Sequence, residues 1–162
     1  MEEKSISSSS TIERRIKMKQ ELLKKIEEKS ITVGVVGLGY VGLPLAVEKA
    51  KAGFKTIGFD VQDEKVKLVN EGHNYIGDVV DSDLKELVES KMLTATTDFS
   101  FVKDVDFVAI CVPTPLDAHQ QPDISYVKSS TEAISKYLTK GTMVVLESTT
   151  YPGTTEELIK QF

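Results

Sequence analysis

The sequence contains one cysteine, no tryptophan and no long hydrophobic run. A single cysteine excludes an intramolecular disulfide and any Cys-x-x-Cys metal pair, which is typical of a protein from a reducing compartment. No apolar stretch approaches the roughly 20 residues that span a bilayer. The charged, Ser-rich N-terminus also lacks the apolar segment of a signal peptide. The sequence therefore predicts a soluble, cytoplasmic protein with no membrane partner.

Positive charge is also scarce, with 20 basic against 25 acidic residues and a net charge of −5. No basic stripe is available to displace the counterions of a nucleic acid, so we expect no nucleic-acid partner and local binding of any anionic ligand. The 162 residues, 40% of them hydrophobic, suffice for one globular domain with a substantial core.

Three closely spaced glycines follow the first apolar run of the sequence. An apolar run from Val33 is followed directly by G-x-G-x-x-G at Gly37, Gly39 and Gly42 and then by a helical pattern. In this context the first glycine makes a tight turn, the second lets a pyrophosphate approach the backbone, and the third lets the helix pack closely on the strand. The phosphates then lie at a helix N-terminus, where unpaired N–H groups favour negative charge.

Short apolar runs alternate with helical patterns along the rest of the chain. Five strands are predicted, at Ile31–Val36, Lys55–Phe59, Leu93–Thr96, Phe107–Val112 and Met143–Leu146. Helices are predicted at Tyr40–Ala52, Gln62–Asn70, Asp81–Glu89 with a cap at Asp81 or Ser82, Ile124–Leu138 and Gly153–Phe162, with a helical turn at Phe99–Lys103. This alternation predicts a Rossmann-type doubly wound parallel sheet in the order 3-2-1-4-5.

The first 29 residues precede this domain, which we place at residues 30–162. Met1–Thr11 contains four consecutive serines and predicts a loose tail. Ile12–Lys29 predicts an amphipathic helix. This helix either covers one edge of its own domain or takes part in self-association.

Asp60 follows the second predicted strand, about 20 residues beyond the glycines, where a carboxylate accepts the adenosine ribose hydroxyls. Its negative charge repels a 2′-phosphate, so NAD is preferred over NADP. A solvated aspartate is the alternative. Lys65 either returns toward the adenosine or phosphate side of the cofactor or is an ordinary exposed helix lysine.

Hydroxyl side chains follow the fourth and fifth strands, at Thr114 and at Ser148, Thr149 and Thr150. They either contact a cofactor, a ribose or a water, or they act as turn-forming and capping hydroxyls. Cys111 lies inside an apolar strand without a nearby histidine, which favours an inert buried thiol. His73 and His119 lie in separate loops and predict no metal site.

Four ordered blocks carry a resemblance: GVVGLGYVGLPLA from Gly34, GFD from Gly58, CVPTPLD from Cys111 and ESTTYPGTTEEL from Glu147. Together they resemble the NAD-binding domain of the UDP-glucose/GDP-mannose dehydrogenase family. GHNYIGDV from Gly72 is more similar to the branch acting on UDP-N-acetylhexosamines than to the UDP-glucose branch. The β-hydroxyacid dehydrogenases share the first βαβ unit but do not predict the CVPTP and STTYPGTT blocks.

The resemblance implies an NAD-dependent oxidation of a nucleotide-sugar C6 alcohol to a carboxylate in two steps, for polysaccharide precursors, by a homo-oligomeric parent enzyme. It implies that Thr149 positions a catalytic water. The implied cofactor-binding residues are Gly37, Gly39, Tyr40, Val41, Gly42, Asp60, Lys65, Val112, Pro113, Thr114, Ser148 and Thr149.

The family's cysteine nucleophile, its partners and the substrate domain match nothing up to Phe162. We therefore expect a fragment that binds NAD without turnover. A non-catalytic, NAD-responsive binding module is the alternative.

Overall fold

The structure, a computed structural model, describes residues 3–116 and 120–157. Its central feature is one parallel five-stranded sheet in the order β3-β2-β1-β4-β5, which confirms the predicted doubly wound topology. The strands are β1 Thr32–Val36, β2 Lys55–Phe59, β3 Leu93–Thr96, β4 Phe107–Ile110 and β5 Met143–Leu146. The last four residues of β1 are all buried, as expected for a central parallel strand covered on both faces.

Helices cover both faces of the sheet. They are α1 Glu3–Glu27, α2 Gly42–Lys51, α3 Asp63–Asn70, α4 Asp81–Glu89, α5 Ser125–Ser135 and α6 Thr154–Glu157, with a 3-10 helix at Phe99–Asp104. One core cluster includes Leu38, Leu43 and Leu84. A second, on the other face, includes Phe59 and Ile134. Burial of these two clusters holds the sheet between its helical layers.

The helix boundaries differ from the predicted ones more than the strand boundaries do. Residues 3–11, where a loose tail is predicted, continue α1. Serine costs less than about 0.7 kcal/mol per residue relative to alanine, so a run of serines can extend a helix that stronger formers nucleate. The predicted cap of α4 is also wrong, because Val80 occupies the N-cap position and makes no side-chain cap bond. Asp81 and Asp83 instead lie in the first turn, at the positive end of the helix dipole.

Several further bounds shift by a few residues. α2 begins at Gly42, and Pro44 lies in its first turn, with the Leu43-to-Gly39 and Leu45-to-Val41 backbone hydrogen bonds intact on either side. α5 ends at Ser135, short of Leu138. α6 covers 154–157, and the predicted remainder of this helix, like His119 in the predicted loop, lies outside the described residues.

The C-terminal half of α1 packs on the domain. Leu22 contacts the first core cluster, and the Lys25 ammonium lies 2.7 Å from Asp106 Oδ1. The other carboxylate oxygen of Asp106 accepts the Thr32 N–H at 3.0 Å, so one side chain joins α1 to the start of β1. These contacts favour the edge-covering interpretation for this half of the helix. Among residues 3–116 and 120–157, no helix is long and apolar enough to cross a bilayer.

Candidate cofactor site

A cavity of about 540 Å³ opens at the carboxyl ends of β1, β2 and β4, where the strand order reverses. This is the position at which doubly wound sheets bind their ligands. The structure brings eight of the predicted site residues to its wall: Gly37, Gly39, Tyr40, Val41, Asp60, Lys65, Val112 and Pro113.

The three glycines of the loop have three different surroundings. Gly37 has a φ of +91°, and a Cβ there would lie 2.9 Å from the Cys111 carbonyl oxygen. A Cβ on Gly42 would collide with the Gly37 carbonyl oxygen. Around Gly39 a Cβ would meet nothing within 4 Å, although the residue lines the cavity. The loop thus combines a tight turn, a close helix contact and an open backbone surface, which fits a bound pyrophosphate.

Asp60 is only 6% exposed and is held by backbone donors. Its Oδ2 accepts the Leu38 N–H at 2.8 Å, and its Oδ1 accepts the Gln62 N–H at 3.0 Å. The Lys65 ammonium lies 3.7 Å from Oδ2 and also lines the cavity. Asp60 is therefore not a solvated carboxylate. Each of its oxygens has a further lone pair with which to accept a ligand hydroxyl.

Tyr75 was not singled out from the sequence, although it lies within the GHNYIGDV block. Its hydroxyl donates to the Leu38 carbonyl at 2.7 Å, and its side chain lines the cavity. Burial, with a smaller contribution from the charge of Asp60, raises the pKa of Tyr75 above its ordinary value. The hydroxyl consequently remains a donor throughout the physiological pH range.

Ile76 of the same block also lines the cavity, and further wall residues come from distant parts of the chain and carried no local signal: Phe99, Tyr126, Ser129 and Ser130. Phe99 also stacks at a tilt against Phe59, with ring centroids 5.6 Å apart. This wall is therefore largely apolar, with hydroxyls on its α5 side.

The remaining predicted residues lie near the cavity but do not line it. Thr114 Oγ1 donates to the Thr149 carbonyl at 2.7 Å, and Ser148 Oγ donates to the Val112 carbonyl at 2.7 Å. These bonds join the segment after β4 to the segment after β5, so both hydroxyl protons serve the backbone. The Thr149 side chain is exposed, and Gly42 lies behind the loop against Cys111.

Cys111 is buried, and this burial, together with the charge of Glu147, raises the pKa of its thiol to about 12. The inert interpretation of this residue is supported, because the thiolate is scarce at neutral pH. His73 is largely exposed, with Nδ1 3.6 Å from a Glu71 carboxylate oxygen. Within the described ranges, no group of three or more His, Cys, Asp or Glu residues is arranged to hold a metal.

A parallel sheet in this order, with a glycine loop at the reversal point and a buried aspartate after β2, defines a Rossmann dinucleotide-binding domain. The family model for the NAD-binding domain of the UDP-glucose/GDP-mannose dehydrogenase family matches residues 31–162. The chain belongs to this family, and its cofactor is NAD.

Characterised relatives agree with this assignment. The chain is 41% identical over 129 residues to UDP-N-acetyl-D-glucosamine 6-dehydrogenase of Pseudomonas aeruginosa, covering 80% of this chain and 30% of that protein. The structure of a UDP-D-ManNAc dehydrogenase from Pyrococcus horikoshii matches with a TM-score of 0.76 and 34% identity, covering 81% of this chain and 31% of the other. A GDP-mannose dehydrogenase from P. aeruginosa matches with a TM-score of 0.72 and 31% identity, covering 78% and 30%. The chain thus spans about 30% of the length of these relatives.

Proposed function

We propose that this chain is the NAD-binding domain of an enzyme that oxidises the C6 alcohol of a UDP-N-acetylhexosamine to a carboxylate. The observation that carries the proposal is the buried carboxylate of Asp60 beside an open glycine loop, within a domain of this family. The sugar class rests on the GHNYIGDV block and on relatives named for UDP-N-acetyl-D-glucosamine and UDP-N-acetyl-D-mannosamine.

Different residues of the chain bind different parts of the cofactor. The pyrophosphate lies against Gly39, Tyr40 and Val41 at the N-terminus of α2, which favours negative charge, while Gly37 and Gly42 shape the turn behind them. Asp60 accepts the adenosine ribose hydroxyls, and Lys65, whose ammonium lies 3.7 Å from Asp60 Oδ2, orients this carboxylate. Val112 and Pro113 line the path toward the reacting end, where the Thr114 and Ser148 hydroxyls fix the backbone through bonds to the Thr149 and Val112 carbonyls.

Two oxidations account for the product. The first removes two hydrogens from the C6 alcohol and gives an aldehyde, and the second adds the oxygen of water and gives the carboxylate. When bound, NAD accepts one hydride in each step. Thr149 lies exposed at the end of β5, where its hydroxyl orients the attacking water. Buried Cys111 does not match the cysteine nucleophile of the family. We therefore assign the cysteine that holds the aldehyde-level carbon to another part of the enzyme.

We further propose that the whole enzyme is a cytoplasmic homo-oligomer that supplies precursors for polysaccharides. The single cysteine, which is typical of a protein from a reducing compartment, supports this location. The 129 matched residues are 30% of the relative from Pseudomonas aeruginosa, which leaves room in that protein for a substrate domain.

The full-length protein tests this function when it is supplied with NAD and a panel of UDP-N-acetylglucosamine, UDP-N-acetylmannosamine, UDP-glucose and GDP-mannose. We expect two NADH per UDP-N-acetylhexosamine consumed and much slower reaction with the other sugars. Absence of NADH with every sugar would favour a non-catalytic NAD-responsive module. For the 162-residue chain alone we expect NAD binding and no NADH, and turnover by this chain would contradict the proposed division of labour.

A further inference from the structure

The peptide groups on either side of Leu38, at the centre of the glycine loop, are held by side chains from two distant segments. The Leu38 N–H donates to Asp60 Oδ2 at 2.8 Å, and the Leu38 carbonyl accepts from the Tyr75 hydroxyl at 2.7 Å. Asp60 follows β2, whereas Tyr75 lies in the loop between α3 and α4. The backbone at this point is thus fixed by tertiary contacts and not by secondary structure.

Fixing a carbonyl fixes more than one group. A trans peptide is planar, so its N–H points opposite to its carbonyl. Because Tyr75 holds the Leu38 carbonyl, it also sets the direction of the Gly39 N–H, which belongs to the same peptide unit. Gly39 is the loop residue around which a Cβ would find open space, and it lines the cavity.

The Leu38 side chain prevents the loop from rotating away. It is fully buried, and a Cβ on Gly58 would lie 2.7 Å from Leu38 Cδ2. A rotation of the Leu38 backbone would have to move this side chain within a close-packed core. The Tyr75 hydrogen bond therefore acts on a backbone that is already anchored at the side chain.

Tyr75 is presented by a loop of defined shape. The Asn74 amide nitrogen lies 2.6 Å from both the Ile76 and the Val79 carbonyl oxygens, and its amide oxygen accepts the Ile76 N–H at 2.8 Å. Ile76 and Val79 are themselves buried. Three hydrogen bonds from one side chain thus close this segment on itself and direct Tyr75 to the glycine loop.

We propose that Tyr75 is a positioning residue that orients the Leu38–Gly39 peptide for the cofactor's pyrophosphate, with Asn74 holding it in place. The inference rests on the proposed role of the glycine loop and extends it to a loop that makes no part of the fingerprint. It assigns a task to the GHNYIGDV block, which otherwise serves only as a mark of the family branch.

This role predicts a selective effect on ligands. The pyrophosphate contacts the peptide that Tyr75 orients, whereas adenosine depends on Asp60 and the apolar wall. Loss of the Tyr75 hydroxyl should therefore weaken the binding of NAD and leave the binding of adenosine unchanged. If Tyr75 had only a structural role, loss of its hydroxyl would weaken the binding of both ligands alike or would lower only the stability of the fold.

The test is an NMR titration of the 162-residue chain with NAD and with adenosine, comparing the unchanged protein with Tyr75→Phe. The matched control is Tyr137→Phe, which removes a hydroxyl from a tyrosine outside the cavity wall. We expect the NAD Kd of Tyr75→Phe to rise roughly 5- to 10-fold, the effect of one net hydrogen bond, and its adenosine Kd to change less than about 2-fold. Tyr137→Phe should leave both values unchanged.

Asn74→Ala provides a second route to the same result, and we expect the same selective loss of NAD, without full additivity in the double variant. An unchanged NAD Kd in Tyr75→Phe, or an equal loss of NAD and adenosine, would overturn the inference. Failure of the unchanged protein to bind NAD would instead refute the proposed site.

Discussion

At the scale of single residues, the glycine loop shows how one motif places three different demands on the same residue type. Gly37 needs a left-handed backbone, Gly42 needs room for a carbonyl, and Gly39 needs only an open face. Folding imposes the first two requirements, whereas ligand binding imposes the third. A substitution at Gly42 should therefore lower stability, whereas a substitution at Gly39 should weaken cofactor binding.

We predict that Gly42→Ala lowers the free energy of unfolding by about 1–3 kcal/mol, because the new methyl group forces the helix away from the Gly37 carbonyl.

Gly39→Ala should leave stability within about 0.5 kcal/mol and weaken NAD binding at least about 10-fold, because its methyl group enters the cavity. Denaturant titration and calorimetry measure the two quantities. Strong NAD binding by a stable Gly39→Ala protein would count against the pyrophosphate assignment.

The thiol of Cys111 should be unreactive in the folded protein. Burial raises its pKa to about 12, so the thiolate forms only as the pH rises toward that value. At pH 8 the folded protein then holds on the order of a thousandfold less thiolate than an ordinary cysteine with a pKa of about 8.5. A disulfide reagent should label the chain rapidly in guanidinium and very slowly in buffer. Stoichiometric labelling of the folded protein within minutes would show that this thiol is accessible.

At the scale of elements, strands were easier to predict than helix ends. β2, β3 and β5 have the predicted bounds, because each is a short β-branched or apolar run between turn residues. β4 ends at Ile110, two residues early, although the Cys111 N–H still donates to the Val36 carbonyl at 2.8 Å. Helix starts depend on caps, and none of α2 to α5 has a side-chain cap bond at its N-cap residue.

The contact between α1 and the domain gives a prediction at this scale. Asp106→Ala should lower the free energy of unfolding by about 1–2 kcal/mol, because it leaves the part-buried Thr32 N–H without its acceptor. Lys25→Ala should cost less than about 1 kcal/mol, because the Lys25 side chain is half exposed and its ion pair is screened by solvent. Urea unfolding of the two variants measures the difference.

Lys24→Ala is the matched control, since Lys24 makes a more exposed ion pair with Glu28, the residue that follows α1. Its stability should equal that of the unchanged protein within about 0.5 kcal/mol. If Lys25→Ala proved as costly as Asp106→Ala, the ion pair with Lys25 and not the bond to the Thr32 N–H would be the main contribution of Asp106 to stability.

At the scale of the whole molecule, the topology and eight residues of the cavity wall followed from the sequence. Alternating elements predicted the sheet order, and a local fingerprint predicted the glycines and Asp60, because the turn and the following strand carry their signal within about 30 residues. Tyr75, Phe99 and Tyr126 reach the same cavity only through tertiary packing. No periodicity or spacing in a single sequence encodes such a meeting of distant segments.

The chain forms a site for NAD, and we expect Asp60 in that site to reject the 2′-phosphate of NADP. Calorimetric titration of the 162-residue chain with NAD and NADP tests it most directly. We predict one NAD bound per chain and at least about 10-fold weaker NADP, because the buried carboxylate repels a second anion. No heat with NAD at millimolar concentration, or equal affinity for the two cofactors, would contradict the claim.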